Sequence, residues 1–339
     1  MITIFTQKKI LKSKGETYNM DLLNLEPTKV SKDLKSKIIM FYGAPKSGKT
    51  TMASKFPKAL IAATEIGTNA LNNVFMQPIQ KWGDMMKLLK ELKKSEVQEK
   101  FSTIVIDTAD NLYDLAEEYV ISQHGVSKIG DIPFGAGYKE SEKIFDKALR
   151  AIPMMGYGLV IISHSTSKTV KDSNGEEIDQ IQPTLPKAAQ KVVNRMSDII
   201  GYSATFSNSE GENETRLIMR GNEKVVAGSR WKHTPNSIVF NYDNLVEAIH
   251  DAVETASKED GVESVDEQVN YYKNEQRRDF EEVREELTDL AKKYVDADRL
   301  VEFNTAMFDK FDEELKISEL TAKHQEATET LIDELLEKL

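Results

Sequence analysis

The eight residues Gly43-Ala44-Pro45-Lys46-Ser47-Gly48-Lys49-Thr50 fit the pattern G-x-x-x-x-G-K-[ST] without a mismatch, and they constrain this chain more than any other stretch. A short apolar run, Ile38-Ile39-Met40-Phe41-Tyr42, precedes them, and Thr51-Met52-Ala53-Ser54-Lys55 continues a helix until Pro57. Strand, glycine-rich loop and helix in that order turn a pattern into a phosphate site. Gly43 and Gly48 allow the backbone to curl, so that successive N–H groups converge on one anion. The start of the helix adds its positive end. Lys49 is placed to reach the β- and γ-phosphates, and Thr50 to hold Mg²⁺ through its hydroxyl. The motif implies ATP and Mg²⁺, with Gly43 to Thr51 as the nucleotide contact.

At 339 residues the chain is long enough for one large domain and a smaller one. It has no Cys, which excludes disulfides and thiolate metal sites, and its five scattered His make no zinc pattern. No apolar run approaches membrane-spanning length and the first residues lack a signal-peptide core, so a soluble cytoplasmic protein is expected. The net charge of −11 is unevenly spread. Residues 253–339 hold 26 Asp or Glu against 12 Lys or Arg, a net −14, which leaves +3 for residues 1–252. The phosphate-binding part is thus mildly basic and compatible with nucleic acid.

Residues 1–36 read as an N-terminal arm, with a short strand at Ile2-Thr3-Ile4-Phe5, a Lys-rich stretch through Lys14 and a second start-like residue at Met20. The core follows at 37–256. Ala59-Leu60-Ile61-Ala62-Ala63 is a second buried strand, with Thr64-Glu65-Ile66-Gly67 at its carboxyl end. Ligands of open α/β sheets sit at such ends. Glu65 there either polarises an attacking water or is an ordinary loop carboxylate. A helical pattern runs over 79–97. Phe101-Ser102-Thr103-Ile104-Val105-Ile106-Asp107-Thr108 is a third strand with an acid near its end, which places Asp107 beside Thr50 as a second Mg²⁺-holding group. Asp110 and Asn111 look like caps of the next helix. The Gly-rich loop 124–139 carries Lys128, Phe134, Tyr138 and Lys139, side chains that suit stacked bases and phosphates of single-stranded nucleic acid. Gly158 to His164 is a fourth buried strand ending in two polar residues, of which His164 is either a γ-phosphate sensor or an ordinary hydrogen-bonded loop residue.

Residues 165–185 read as a hairpin around Asp172-Ser173-Asn174-Gly175, with Lys168 and Lys171 on its first arm. A helix from 185 to 196 follows. Strands at 199–206 and 215–220 come next, separated by the turn Asn208-Ser209-Glu210-Gly211, and a helix over 243–257 ends the core. Beyond Ala256 the composition changes. Ser257 to Asp266 reads as a charged linker, and Phe280, Val283, Leu287, Leu290 and Tyr294 recur three and four apart. Residues 257–339 are therefore an acidic helical region, either a small bundle or an interaction module.

With the P-loop, Thr64-Glu65, the strand ending in Asp107, and Val160-Ile161-Ile162-Ser163-His164 in this order, residues 36–252 resemble the phage-encoded RecA-like nucleotide-binding proteins of single-strand annealing and recombination. The resemblance implies an α/β fold, a RecA-like P-loop NTPase core with a mostly parallel central sheet, to which this chain adds its acidic C-terminal helices. It also implies Mg²⁺-dependent ATP hydrolysis, single-stranded DNA binding, and homo-oligomers in a ring or filament inside a host cell. Glu65 matches the water-activating Glu and His164 the polar sensor. The loop 124–139 and the hairpin 165–185 match the two DNA-contacting loops. Arg220, Arg230 and Lys232 lie where such proteins place basic groups that reach a neighbour's γ-phosphate. Two other readings compete. One is a nucleotide-switch loader that grips a replication partner through its acidic tail. The other is a small-molecule P-loop kinase, disfavoured because the candidate lids carry Lys, Gln and aromatics rather than Arg.

Overall fold

The computed structural model describes residues 27–65, 71–207, 211–267, 279–311 and 315–339. The features read at residues 1–26, at Ile66 and Gly67, and at Asn208 to Glu210 lie outside them. Compactness divides the chain into a larger unit, Thr28–Asn274, and a smaller one whose described part is Pro27, 279–311 and 315–339.

The larger unit is built on one mixed sheet. Its strands are β1 (Ile38–Gly43), β2 (Ala59–Ala63), β3 (Phe75–Pro78), β4 (Thr103–Asp107), β5 (Gly158–Lys171), β6 (Glu177–Pro183), β7 (Ile199–Ser207), β8 (Asn213–Ile218), β9 (Gly228–Ser229) and β10 (Ser237–Val239). Their order is β10-β8-β7-β1-β5-β4-β2-β3, with β6 paired to β5 and β9 to β7. The central run from β7 to β3 is parallel.

Apolar runs without alternation are what a sheet covered on both faces requires, and the burial follows that rule. Met40, Tyr42, Ile104, Ile106, Leu159 and Ile161 face one cluster, with helices α2 (Trp82–Glu91), α4 (Ala109–His124), α5 (Ala136–Met154) and α6 (Lys187–Met196). Ile39, Phe41, Ile61, Val105, Val160 and Ile162 face the other, with α1 (Lys49–Ala53) and α7 (Tyr242–Asp260). The helix α3 (Ser95–Lys100) buries no residue. α7 runs on through Asp260, and Val265 bonds back to Val30, so residues read as linker pack with the larger unit.

Two projections frame the carboxyl end of the sheet. The first six residues of β5 are buried, and the rest leave the core as a hairpin with β6, in register from Ser165 opposite Pro183 to Lys171 opposite Glu177. The second projection is helical. Tyr113 stacks edge-on against Phe145 at 5.2 Å, and His124 Nε2 meets Glu140 at 2.8 Å, so α4 and α5 are antiparallel. α5 ends just before β5 enters at the amino edge of the sheet, where Gly158 pairs with Thr103. The turn joining the two helices is thereby carried to the carboxyl side, the side on which the P-loop opens.

In the smaller unit, α8 (Phe280–Asp296), α9 (Leu300–Phe311) and α10 (Gln325–Lys338) share one core. Val283, Leu287, Leu290 and Tyr294 are all buried in it, and the Tyr294 hydroxyl donates to the Leu335 carbonyl at 2.8 Å. The apolar seam of α8 is therefore filled within the unit by Phe303, Met307, Leu331 and Ile332.

Candidate nucleotide-binding site

The P-loop joins β1 to α1. Lys46 at φ 64° and Gly48 at φ 84° are both left-handed, which turns successive N–H groups of the loop toward one side. Gly48 is glycine because of that φ. Gly43 is glycine for a different reason: a Cβ there would lie 2.2 Å from Ser203 Oγ on neighbouring β7. Ser203 Oγ in turn sits 2.8 Å from Ser47 Oγ, tying the loop to β7. The helix after the loop has only five residues, shorter than the sequence suggested. Its dipole is accordingly small, and the loop N–H groups supply most of the anion cradle.

Lys49 is buried, and its Nζ donates to the carbonyls of Gly43 (3.0 Å) and Ala44 (2.8 Å) and to Ser47 Oγ (3.4 Å). Burial pulls its pKa down, against the attraction of Asp107, Glu65 and Asp110. Thr50 Oγ1 donates to Asp107 Oδ2 at 2.8 Å. Burial raises the Asp107 pKa, and the Thr50 hydrogen bond works against it. A desolvated carboxylate paired with a hydroxyl at a phosphate loop fits hydrated Mg²⁺, which takes one or two protein groups and completes its shell with phosphates and water. Among the described residues no set of three or more acids and His could hold a metal ion by itself. Bound Mg²⁺ would supply charge neutralisation at the phosphates, and Thr50 and Asp107 would hold it.

Beside this pair stand Glu65, just past the end of β2, and His164, where β5 leaves the core. Glu65 Oε1 accepts from Thr108 Oγ1 (3.1 Å), Asn111 Nδ2 (3.3 Å) and His164 Nε2 (3.2 Å). Among the described residues, these three bonds all fall on Oε1. An ionised carboxylate is acceptor-only, so His164 Nε2 carries a proton, and in the neutral ring Nδ1 is a bare acceptor. That atom is buried and has no partner among the described residues. The Thr64 hydroxyl, bonded to the Thr108 N–H at 2.8 Å, locks the end of β2 to the residue after Asp107. Lys49, Thr50, Asp107, Glu65 and His164 thus converge at the carboxyl ends of four parallel strands.

A family model described as an AAA domain matches residues 35–231, more than half of the chain. The chain belongs to the AAA domain family. As such it carries a nucleotide-binding P-loop ATPase domain. The SPbeta prophage-derived uncharacterized protein YorG of Bacillus subtilis (strain 168) is 27% identical over 331 residues, spanning 94% of this chain and 99% of that protein. The flagellar accessory protein FlaH of Methanocaldococcus jannaschii aligns over 54% of this chain and 76% of its own, with 9% identity and a TM-score of 0.30. No helix among the described residues is long and apolar enough to cross a membrane.

In this AAA domain the remaining sequence-predicted residues stand apart from the phosphate loop. Phe134 is wholly exposed at the α4–α5 turn, with φ 58°, while Ile129 and Ile132 beneath it pack on Val120. Tyr138 is about half exposed, Lys139 is exposed, and Lys128 pairs weakly with Asp131 at 3.9 Å. Lys168 and Lys171 project from β5, but the hairpin also carries Asp172, Glu176, Glu177 and Asp179, so its charge is net negative.

Arg220, Arg230 and Lys232 are engaged inside their own unit. Arg220 donates to the carbonyls of Trp231, Lys232 and Thr234. Arg230 pairs with Asp198 at 3.3 Å and donates to the Arg195 carbonyl, and Lys232 meets Glu259 at 3.0 Å. Among them only Lys232 is held by a purely surface pair, the cheapest kind to release.

Several site residues escaped the sequence reading. Asn111 and Asp110 do not cap α4, whose start has no side-chain cap. Asn111 holds Glu65 instead, and Asp110 accepts from Ser163 and Thr184. Ser203 had no signal at all, being one polar residue in an ordinary strand pattern.

Proposed function

We propose that this chain is a Mg²⁺-dependent ATPase that works on single-stranded DNA as an assembly of several copies, in phage recombination or annealing. Hydrolysis is supported by Glu65, whose Oε1 is fixed by three donors beside the Lys49 and Thr50–Asp107 pair. A carboxylate so oriented abstracts a proton from water at its other oxygen, while Lys49 and the loop N–H groups steady the charge that builds on the phosphates.

The observation that carries the DNA part is Phe134. A fully exposed aromatic on a turn packed from below, on the nucleotide side of the sheet, is costly in water and suited to stacking on a base. Lys128 and Lys139 nearby would meet phosphates. The acidic residues of the β5–β6 hairpin make that arm the weaker contact. The relative named as prophage-derived supports a phage setting. Copies are proposed to assemble so that one basic group acts across the boundary on a neighbour's γ-phosphate, with Lys232 the most readily released candidate. The acidic helical unit is proposed to serve a protein partner.

The test is ATP turnover with and without a single-stranded oligonucleotide, in the wild type and in Phe134→Ala. Stimulation in the wild type and its loss in the variant, with basal turnover kept, is the expected result. Equal turnover with and without DNA, together with no DNA binding, would refute the DNA assignment and leave the ATPase reading standing.

A further inference from the structure

Asp110 stands in the first turn of α4, three residues beyond Asp107, and its Oδ1 gathers two hydroxyls. One is Ser163 Oγ at 3.0 Å, from the fully buried residue that precedes His164 in β5. The other is Thr184 Oγ1, from the residue that follows β6 and closes the hairpin. Between them lies His164. Its carbonyl accepts from the Thr184 N–H at 3.0 Å and from Ser163 Oγ at 3.2 Å, and its ring reaches Glu65. One carboxylate oxygen thereby joins the start of the helix after Asp107, the strand that delivers His164, and the root of the hairpin.

The other oxygen, Oδ2, is buried and has no partner among the described residues. A half-satisfied buried carboxylate is a poor device for stability alone, because its desolvated second oxygen carries a cost. A carboxylate oxygen between two hydroxyls does have a directional effect, since it can accept from both at once. The Ser163 proton has three acceptors in reach, Asp110 Oδ1, the His164 carbonyl and, at 3.5 Å, Thr184 Oγ1. Whichever takes it fixes how firmly the His164 backbone is held.

We propose that Asp110 is a positioning residue. It sets His164 against Glu65 through Ser163 and Thr184, and by the same bonds couples nucleotide occupancy at the P-loop to the order of the β5–β6 hairpin. The proposal rests on the nucleotide-site reading above. When the ring of His164 shifts toward a bound γ-phosphate, Ser163 beside it moves too, and Asp110 passes that movement through the Thr184 hydroxyl to the end of β6. Removing the carboxylate takes from both hydroxyls their shared acceptor, and the hairpin then responds little to the nucleotide.

The experiment is amide hydrogen exchange over residues 165–184 of the full chain, with and without a non-hydrolysable ATP analogue and Mg²⁺, beside calorimetric titration of the same analogue. In the wild type the analogue should slow exchange across the hairpin. Asp110→Ala should cut that nucleotide-dependent slowing by about tenfold, the loss expected of charge-assisted hydrogen bonds at a local opening, while analogue affinity stays within about threefold. Asp110→Asn keeps an oxygen acceptor and should retain most of the coupling. Thr184→Val removes only the exposed hydroxyl and leaves the Ser163 bond, so it folds even if Asp110→Ala does not, and it should also lose the coupling. Intact nucleotide-dependent protection in Thr184→Val would overturn the proposal, as would a wild type that binds the analogue without any change in the hairpin. A wild type that binds no analogue would show in the titration, and would overturn the nucleotide reading and the coupling together.

Discussion

Replacing Glu65 by Gln separates chemistry from scaffold in this site. Thr108 Oγ1, Asn111 Nδ2 and His164 Nε2 all converge on Oε1. A Gln oxygen at the same position accepts all three bonds, so the fold and the nucleotide pocket should be preserved. The amide cannot take a proton, and a positioned general base is worth about 10²–10⁴ in rate, or roughly 3–5 kcal/mol of barrier. The expected result is therefore a single-turnover rate lowered by two to four orders of magnitude, with nucleotide affinity within about threefold of wild type. Glu65→Ala is the structural control. It strands three partly buried donors, each worth about 0.5–1.5 kcal/mol net, and solvent access reduces the sum to roughly 1–3 kcal/mol. That should lower the melting temperature of the larger unit by several degrees, whereas Glu65→Gln should melt as the wild type does. The assay is rapid-quench hydrolysis of γ-labelled ATP with enzyme in excess, which isolates the chemical step from product release. A Glu65→Gln chain that binds ATP and cleaves it within twofold of the wild-type rate would refute the base assignment and leave Glu65 as a structural acceptor.

Burial raises the Asp107 pKa, so the ionised group opposes folding at neutral pH, and stability is regained as pH falls through its folded pKa. Without Mg²⁺, Asp107→Asn should melt above the wild type at neutral pH, the difference vanishing towards acid pH in calorimetric scans, while Mg²⁺-dependent turnover is lost. Phe134→Ala removes a fully exposed ring and should leave the melting temperature unchanged, yet weaken single-stranded DNA binding by about 1–3 kcal/mol in fluorescence anisotropy. Leu287→Ala empties a fully buried position of the helical unit and should cost about 2–5 kcal/mol there. Tryptic digestion should then remove residues beyond 279 faster, while ATP-analogue affinity holds, because Leu287 packs wholly within its own core.

What the sequence discloses and what it hides divide along the distance between partners. Ile38 to Tyr42, Ala59 to Ala63 and Ile104 to Ile106 are apolar throughout because each strand is covered on both faces, and that local property announces a parallel sheet. Glu65, Asp107 and His164 were visible as polar residues at strand ends, the place where such a sheet puts its chemistry. Their partners were not, because the pairing lies in β-strand order and leaves no mark on either segment. Glu65 meets His164 across 99 residues, and Ser47 meets Ser203 across 156. The heptad spacing of Val283, Leu287, Leu290 and Tyr294 told that α8 has an apolar face, but a period cannot say whether a second copy or the chain's own α9 and α10 covers it. Asp110 shows the subtler failure. An acid in the first turn of a helix has a ready local explanation in capping and the helix dipole, and that sufficiency conceals the other possibility. Only the placement of Ser163 and Thr184, one strand over, shows that the carboxylate faces the sheet instead of the free N–H groups of its own helix. Where a residue satisfies a local rule and also stands beside the phosphate end of a P-loop, the local rule is therefore weak grounds for setting it aside.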